Sequence, residues 1–119
     1  PLPYRQSSRL RNMIWLGGQV PYAPHSNKPG RVLDGELDLQ TTFTMSYIED
    51  LLRGFNRSPV DLKLCVCYFT SNGSQAETEA FVRVLQNCIG GALPPLTLVP
   101  VPHMHTPETT VEIWGVAQG

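Results

Sequence analysis

Two histidines two positions apart, His103 and His105, lie in the stretch VPVPHMHTP (99–107), and in an extended chain that spacing puts both imidazoles on one face. Such a pair can hold a metal ion only with a third ligand and a defined geometry. The chain offers His25, Glu108 or the distant cysteines for that role, so no metal is expected. A catalytic histidine pair needs a Ser or Cys nucleophile beside it, and the sequence supplies none in view. Cys65, Cys67 and Cys88 are odd in number and contain no C-x-x-C pair, which argues against a disulfide framework and a zinc knuckle. Their expected role is core packing. Glu112 stands between Val111 and Ile113; in a strand its carboxylate points opposite to both, either to solvent or into a pocket. Tyr4, beside Pro3, packs or lines a site.

The elements that must position these residues can be read from periodicity. YRQSSRLRN and MIWLGG predict two N-terminal strands that turn at Arg11–Asn12. From Asp38, its expected N-cap, Leu39, Phe43, Tyr47, Ile48, Leu51, Leu52 and Phe55 recur at helical spacing, and Gly54, Asn56 and Pro59 mark the end. DLKLCVCYFT (61–70) is a strand apolar on both faces, with Leu62, Leu64, Val66 and Tyr68 on one and Cys65, Cys67 and Phe69 on the other, hence a central one. SQAE (74–77) is a capping box. It opens a second helix with Ala76, Ala80, Phe81, Val84, Leu85 and Cys88 inward and Gly90–Gly91 as its stop. PPLTLVPVP and TTVEIWGVA are two more strands, the first bent or at an edge because Pro100 and Pro102 cannot donate to a ladder.

The order strand, strand, helix, strand, helix, strand, strand predicts an α+β fold, a mixed sheet with both helices on one face. The other face would be apolar and would pack on another copy or another domain. At 119 residues one domain, 1–119, is expected, large enough to hold a core without staples. A net charge of −1 with scattered Lys and Arg argues against nucleic acid as a main partner. No apolar run reaches the roughly 18 residues of a membrane span. The thiols suggest a reducing, cytoplasmic setting, and the start at Pro1 suggests a domain excised from a longer chain.

PYRQSSRL, NMIWLGGQVPYAP, DLKLCVCYFTS and VEIWGVA, in this order, resemble the RidA (YjgF) superfamily, small proteins that hydrolyse reactive imines and enamines. The resemblance implies a bacterial chorismate mutase-like fold, a homotrimer or a pseudo-trimer with related domains, a small-molecule ligand between subunits, and no cofactor. By matching position, Tyr4 lines the pocket, Gly17 and Gly18 border the ligand with their backbone, and Glu112 corresponds to the glutamate that positions the attacking water.

Active relatives also carry an arginine on the penultimate strand that grips the substrate carboxylate through two parallel bonds. Its place falls near Thr97 or Leu98, and no Arg or Lys occurs between Leu93 and Glu112. The pocket is then remodelled, with His103 and His105 at its rim as hydrogen-bonding groups. Losing such an anchor costs about two orders of magnitude in affinity, so an ordinary amino-acid-derived imine is not the expected substrate. Arginine-lacking domains of this kind extend eukaryotic diphthine-ammonia ligase, and TTVEIWGVAQ is similar to such an ending. The expected function is therefore a noncatalytic ligand-binding or assembly domain of that ligase. The alternatives are a divergent imine or enamine hydrolase using Glu112 and Tyr4, and an RNA-acting protein.

Overall fold

The computed structural model describes residues 7–20, 36–104 and 109–119; Tyr4, His25, His105 and Glu108 lie outside them. The elements are β1 (Ser7–Leu10), β2 (Met13–Gln19), α1 (Leu37–Arg53), β3 (Leu62–Thr70), α2 (Gln75–Ile89), β4 (Leu96–Val101) and β5 (Val111–Gln118), with a 3-10 turn at Pro59–Asp61 before β3. The five strands form one sheet in the order β1-β2-β5-β3-β4. Only β3 and β4 run parallel, and α2 is the crossover between them. This is the expected α+β architecture, with one sheet covered on one side by two helices.

The covered side holds the core. Ile14 and Leu16 of β2, Cys65, Cys67 and Phe69 of β3, and Val111, Ile113 and Ala117 of β5 meet Met45, Ile48 and Leu52 of α1 and Phe81, Leu85 and Ile89 of α2. Phe69 and Phe81 stack with ring centroids 4.2 Å apart and planes 1° from parallel, which pins α2 to β3. The two strand cysteines are buried free thiols. Burial pushes Cys65 up to about 11 and, with Cys65 beside it, Cys67 up to about 12. Thiols held protonated this firmly pack as small hydrophobes.

Three local expectations are corrected. Helix α1 starts two residues earlier than expected, with Glu36 as an N-cap that makes no side-chain bond; Asp38 sits in the first turn, where its charge favours the helix dipole. Its buried stripe runs through Gln40, Thr41, Thr44, Met45, Ile48 and Leu52, and Leu39 is half exposed. The rotation follows from Gln40, whose Oε1 accepts from both the backbone N–H and the hydroxyl of Thr110, each at 2.9 Å. In β3, Lys63 forms a bulge between Leu62 and Leu64. Leu62 therefore joins the core, while Leu64 opens onto the other face. At α2, Ser74 Oγ accepts from the Glu77 N–H, but the Glu77 carboxylate reaches past the cap to the backbone of Asn72.

Strand β4 is an edge, as its prolines require. Val101 accepts from Ser71 and Pro95 accepts from Cys65, so by the alternation of a parallel ladder Pro95, Thr97, Val99 and Val101 bond toward β3. Leu96, Leu98, Pro100 and Pro102 then turn their backbone groups outward. The prolines cost the ladder nothing and remove the donors that another strand would use.

Candidate functional site

The second face of the sheet carries Leu10, Met13, Trp15, Leu64, Val66, Tyr68, Trp114 and Val116. Trp15 and Trp114 are 46% and 45% exposed, unusual for side chains of that size on a face this apolar. They flank a depression of about 210 Å³ whose lining includes Leu64, Val66 and Val116.

Glu112 belongs to this face. On β5, Val111, Ile113, Gly115 and Ala117 are buried toward the helices, and Glu112, Trp114, Val116 and Gln118 alternate to the other side. Glu112 is half-buried and pairs directly with Tyr68 on β3, which in turn pairs with Val99 on β4. Its Oε2 accepts a 2.6 Å hydrogen bond from the indole N–H of Trp114. The two residues are i and i+2 in a strand, so the pleat alone sets them side by side.

The glycine pair explains how so large an indole and a carboxylate share the space. Leu16 pairs with Gly115 and Gln19 with Ile113, so Gly17 and Gly18 together oppose Trp114 and form a bulge. Gln19 is buried on the helix side and its Nε2 donates to the Gly17 carbonyl at 2.9 Å. A Cβ on Gly18 would lie 2.6 Å from Glu112 Oε2 and 2.8 Å from Trp114 Cε2. Any side chain at 18 displaces the carboxylate–indole pair. Gly18 thus lies directly under the Glu112 carboxylate.

The remaining expected residues are divided. Thr97 pairs with Val66, which pairs with Trp114, so Thr97 shares the face of Glu112 but lies two strands away, roughly 10 Å at ordinary strand spacing. Leu98 is on the opposite side, packed against the core, and cannot line a pocket on the Glu112 face. His103 follows the end of β4 and is exposed, with no hydrogen bond or ion pair to Glu112. Among the described residues no three His, Cys, Asp or Glu side chains converge as a metal site would require. Tyr4 and His105 fall outside the described residues. Sequence reasoning missed Trp114. Its signal was present in VEIW, where strand alternation puts Trp114 beside Glu112.

No described cation neutralises Glu112. Arg53 pairs with Asp50 and Glu49, and Arg57 binds the carbonyls of Gln118 and Gly119. Arg9 lies over the Phe55 ring at 5.3 Å and donates to the Phe55 carbonyl.

No protein-family model matches the sequence, and no curated protein does. Solved structures match the fold along nearly the whole chain. RidA from an Antarctic Psychrobacter superposes with a TM-score of 0.80 at 16% identity, covering 98% of this chain and 89% of that one. A Mycobacterium tuberculosis member of the YjgF/YER057c/UK114 family gives 0.75 at 18%, covering 98% and 86%. Escherichia coli TdcF with bound serine gives 0.77 at 17%, covering 100% and 90%. The five-stranded mixed sheet and its two helices are therefore the fold of RidA-family proteins.

Proposed function

We propose that this chain is a RidA-superfamily domain that binds a small ligand or assembles a larger protein, without the standard imine deaminase activity. One observation carries this reading. Gly18 lies against Glu112, which supports reading them as one site, while the place of the carboxylate-gripping arginine, near Thr97 or Leu98, holds neutral side chains, one of which faces the core. A carboxylate anchor supplied by a fixed guanidinium fork has no equivalent in Thr97. TdcF binds serine, so this fold can accommodate a small amino acid; here the charge complement to an acid is missing from β4.

The parent protein we infer is a diphthine-ammonia ligase, which amidates diphthine with ATP on elongation factor 2 in the cytoplasm. The arginine-free pocket and the ending TTVEIWGVAQ support it. The apolar face built by Trp15, Trp114, Val66 and Leu64 supports association in a homotrimer or with related domains in a pseudo-trimer, because isolated sheets cover such faces. No described helix is long and apolar enough to cross a membrane. Hydrolysis of freshly generated 2-aminoacrylate is the test. The expected rate equals that of the solvent reaction, and an acceleration abolished by Glu112→Gln would establish instead a divergent imine hydrolase. An ATP-pyrophosphatase-like domain encoded upstream of Pro1 is the corresponding expectation for the parent.

A further inference from the structure

Among the described residues Glu112 has one carboxylate oxygen without a hydrogen-bond partner and no counter-charge, and its surroundings are unusual for a strand glutamate. One carboxylate oxygen is occupied by the Trp114 N–H at 2.6 Å. The carboxylate also rests against the Gly18 backbone, where even a methyl group would collide with it. Tyr68 stands directly opposite on β3 and Val99 beyond it. A half-buried carboxylate among aromatic and aliphatic groups gives up hydration, and that cost is offset only by a donor, best of all a charged one. The Trp114 N–H supplies one neutral donor. Among the described residues Oε1 has no hydrogen-bond partner, and Arg53, Arg57 and Arg9 are engaged elsewhere.

We propose that Glu112 and Trp114 together form a receptor for an organic cation, an ammonium or iminium group on a small apolar body that carries no carboxylate. The free Oε1 takes the N–H of the ligand, and the fixed indole gives its π face to the cation and its neighbouring carbons. Trp114 is the specificity-determining partner. Its N–H holds the carboxylate in one orientation, and its ring excludes water from the side on which the ligand docks. An acid is disfavoured twice, by repulsion from Glu112 and by the absence of Arg or Lys between Leu93 and Glu112. This inference rests on reading the Glu112 face as a ligand pocket, and it names the class of ligand that pocket selects.

The experiment uses the intact chain in its native oligomeric state and matched probes: n-butylammonium, sodium pentanoate and the zwitterion 2-aminobutyrate. Binding is followed by the indole N–H resonance of Trp114, assigned by its loss in Trp114→Phe. Saturable movement with n-butylammonium, at least about tenfold tighter than with pentanoate or 2-aminobutyrate, is expected. In Glu112→Gln, a neutral isostere that still accepts from the indole, affinity should fall about tenfold or more. Trp114→Phe, followed by calorimetry, keeps an aromatic face but loses the N–H, and should weaken n-butylammonium by a smaller factor. Equal affinity for pentanoate, unchanged affinity in Glu112→Gln, or no saturable movement with n-butylammonium would overturn the proposal. The 2-aminoacrylate rate is read separately: it decides whether the domain is noncatalytic, whereas the cation titration decides what the pocket recognises.

Discussion

The two faces of the sheet use the same strands for opposite ends. On the covered face β2, β3 and β5 contribute residues that are almost wholly buried against α1 and α2, including Phe69, Ile113 and Val111 at 0% exposure. On the other face the same strands present Trp15, Trp114 and Leu64 to solvent and hold a carboxylate beside an indole. The first face holds the stability of the fold, and the second leaves apolar area exposed, which the proposed function assigns to recognition. Large side chains of similar hydrophobicity should therefore differ in consequence according to the side on which they point.

The largest difference is expected between Phe81→Ala and Trp15→Ala. Phe81 is buried and stacked on Phe69, and its loss should cost about 3–5 kcal/mol in urea unfolding through lost burial and the cavity left behind. Trp15 is nearly half exposed, and at low protein concentration its truncation should cost under about 1 kcal/mol. At high concentration it should instead shift sedimentation toward smaller species. Similar unfolding costs for the two variants would remove the distinction between a structural face and a docking face.

The alkaline limit of stability separates the faces next, because both strand thiols lie on the covered side. Burial raises Cys65 to about 11 and Cys67 to about 12, above the ordinary value of 9.0. Above pH 9 the unfolded chain loses these protons while the folded chain keeps them. Stability then falls with pH, by up to about 1.4 kcal/mol per pH unit for each thiol, and the loss ends as pH passes the folded values. Cys67→Ala should flatten this slope between about pH 9 and 12, measured under reducing conditions by urea unfolding. An unchanged slope would show that the thiol is not sealed by the helices.

The contrast between the faces also marks how far the sequence is legible. Period-two alternation in VEIWGVA assigns β5 correctly, since a pleat leaves a side chain only two directions, and the prolines of β4 announce an edge because they lack donors. Spacing fails where a polar group decides. Nothing local shows that Gln40 will reach Thr110 across 70 positions, so α1 is rotated relative to its apolar count. A bulge is equally silent: Lys63 moves Leu62 to the other face with no change in composition. At the candidate site, residue identities pointed to Gly18 and Glu112 through the resemblance. Strand alternation in VEIW already put Trp114 beside Glu112; what local spacing did not show was the bulge at Gly17–Gly18 that sets Gly18 against both side chains.

The buried polar contacts at the base of α1 sharpen the comparison further. Gln40→Ala leaves the Thr110 N–H and hydroxyl without their shared acceptor, and the expected cost is about 1–3 kcal/mol. Thr110 lies beside Val111 and two positions before Glu112, so the same variant should also move the Trp114 indole resonance if α1 positions the start of β5. A stability loss with that resonance unmoved would mean that the covered face does not set the geometry of the open one.

Thr44 offers the smallest change and the opposite sign. It is fully buried on the inner side of α1, and its hydroxyl has no hydrogen-bond partner among the described residues. Thr44→Val keeps the branched shape and removes the unmet polar group, so the folded state no longer bears the cost of stripping that hydroxyl of water. The expected gain is about 1 kcal/mol in urea unfolding, with oligomeric state and cation affinity unchanged, because the residue touches only the stabilising face. A loss of stability would instead show that the hydroxyl is satisfied in solution by a buried water, and that the covered face is less dry than its apolar lining suggests.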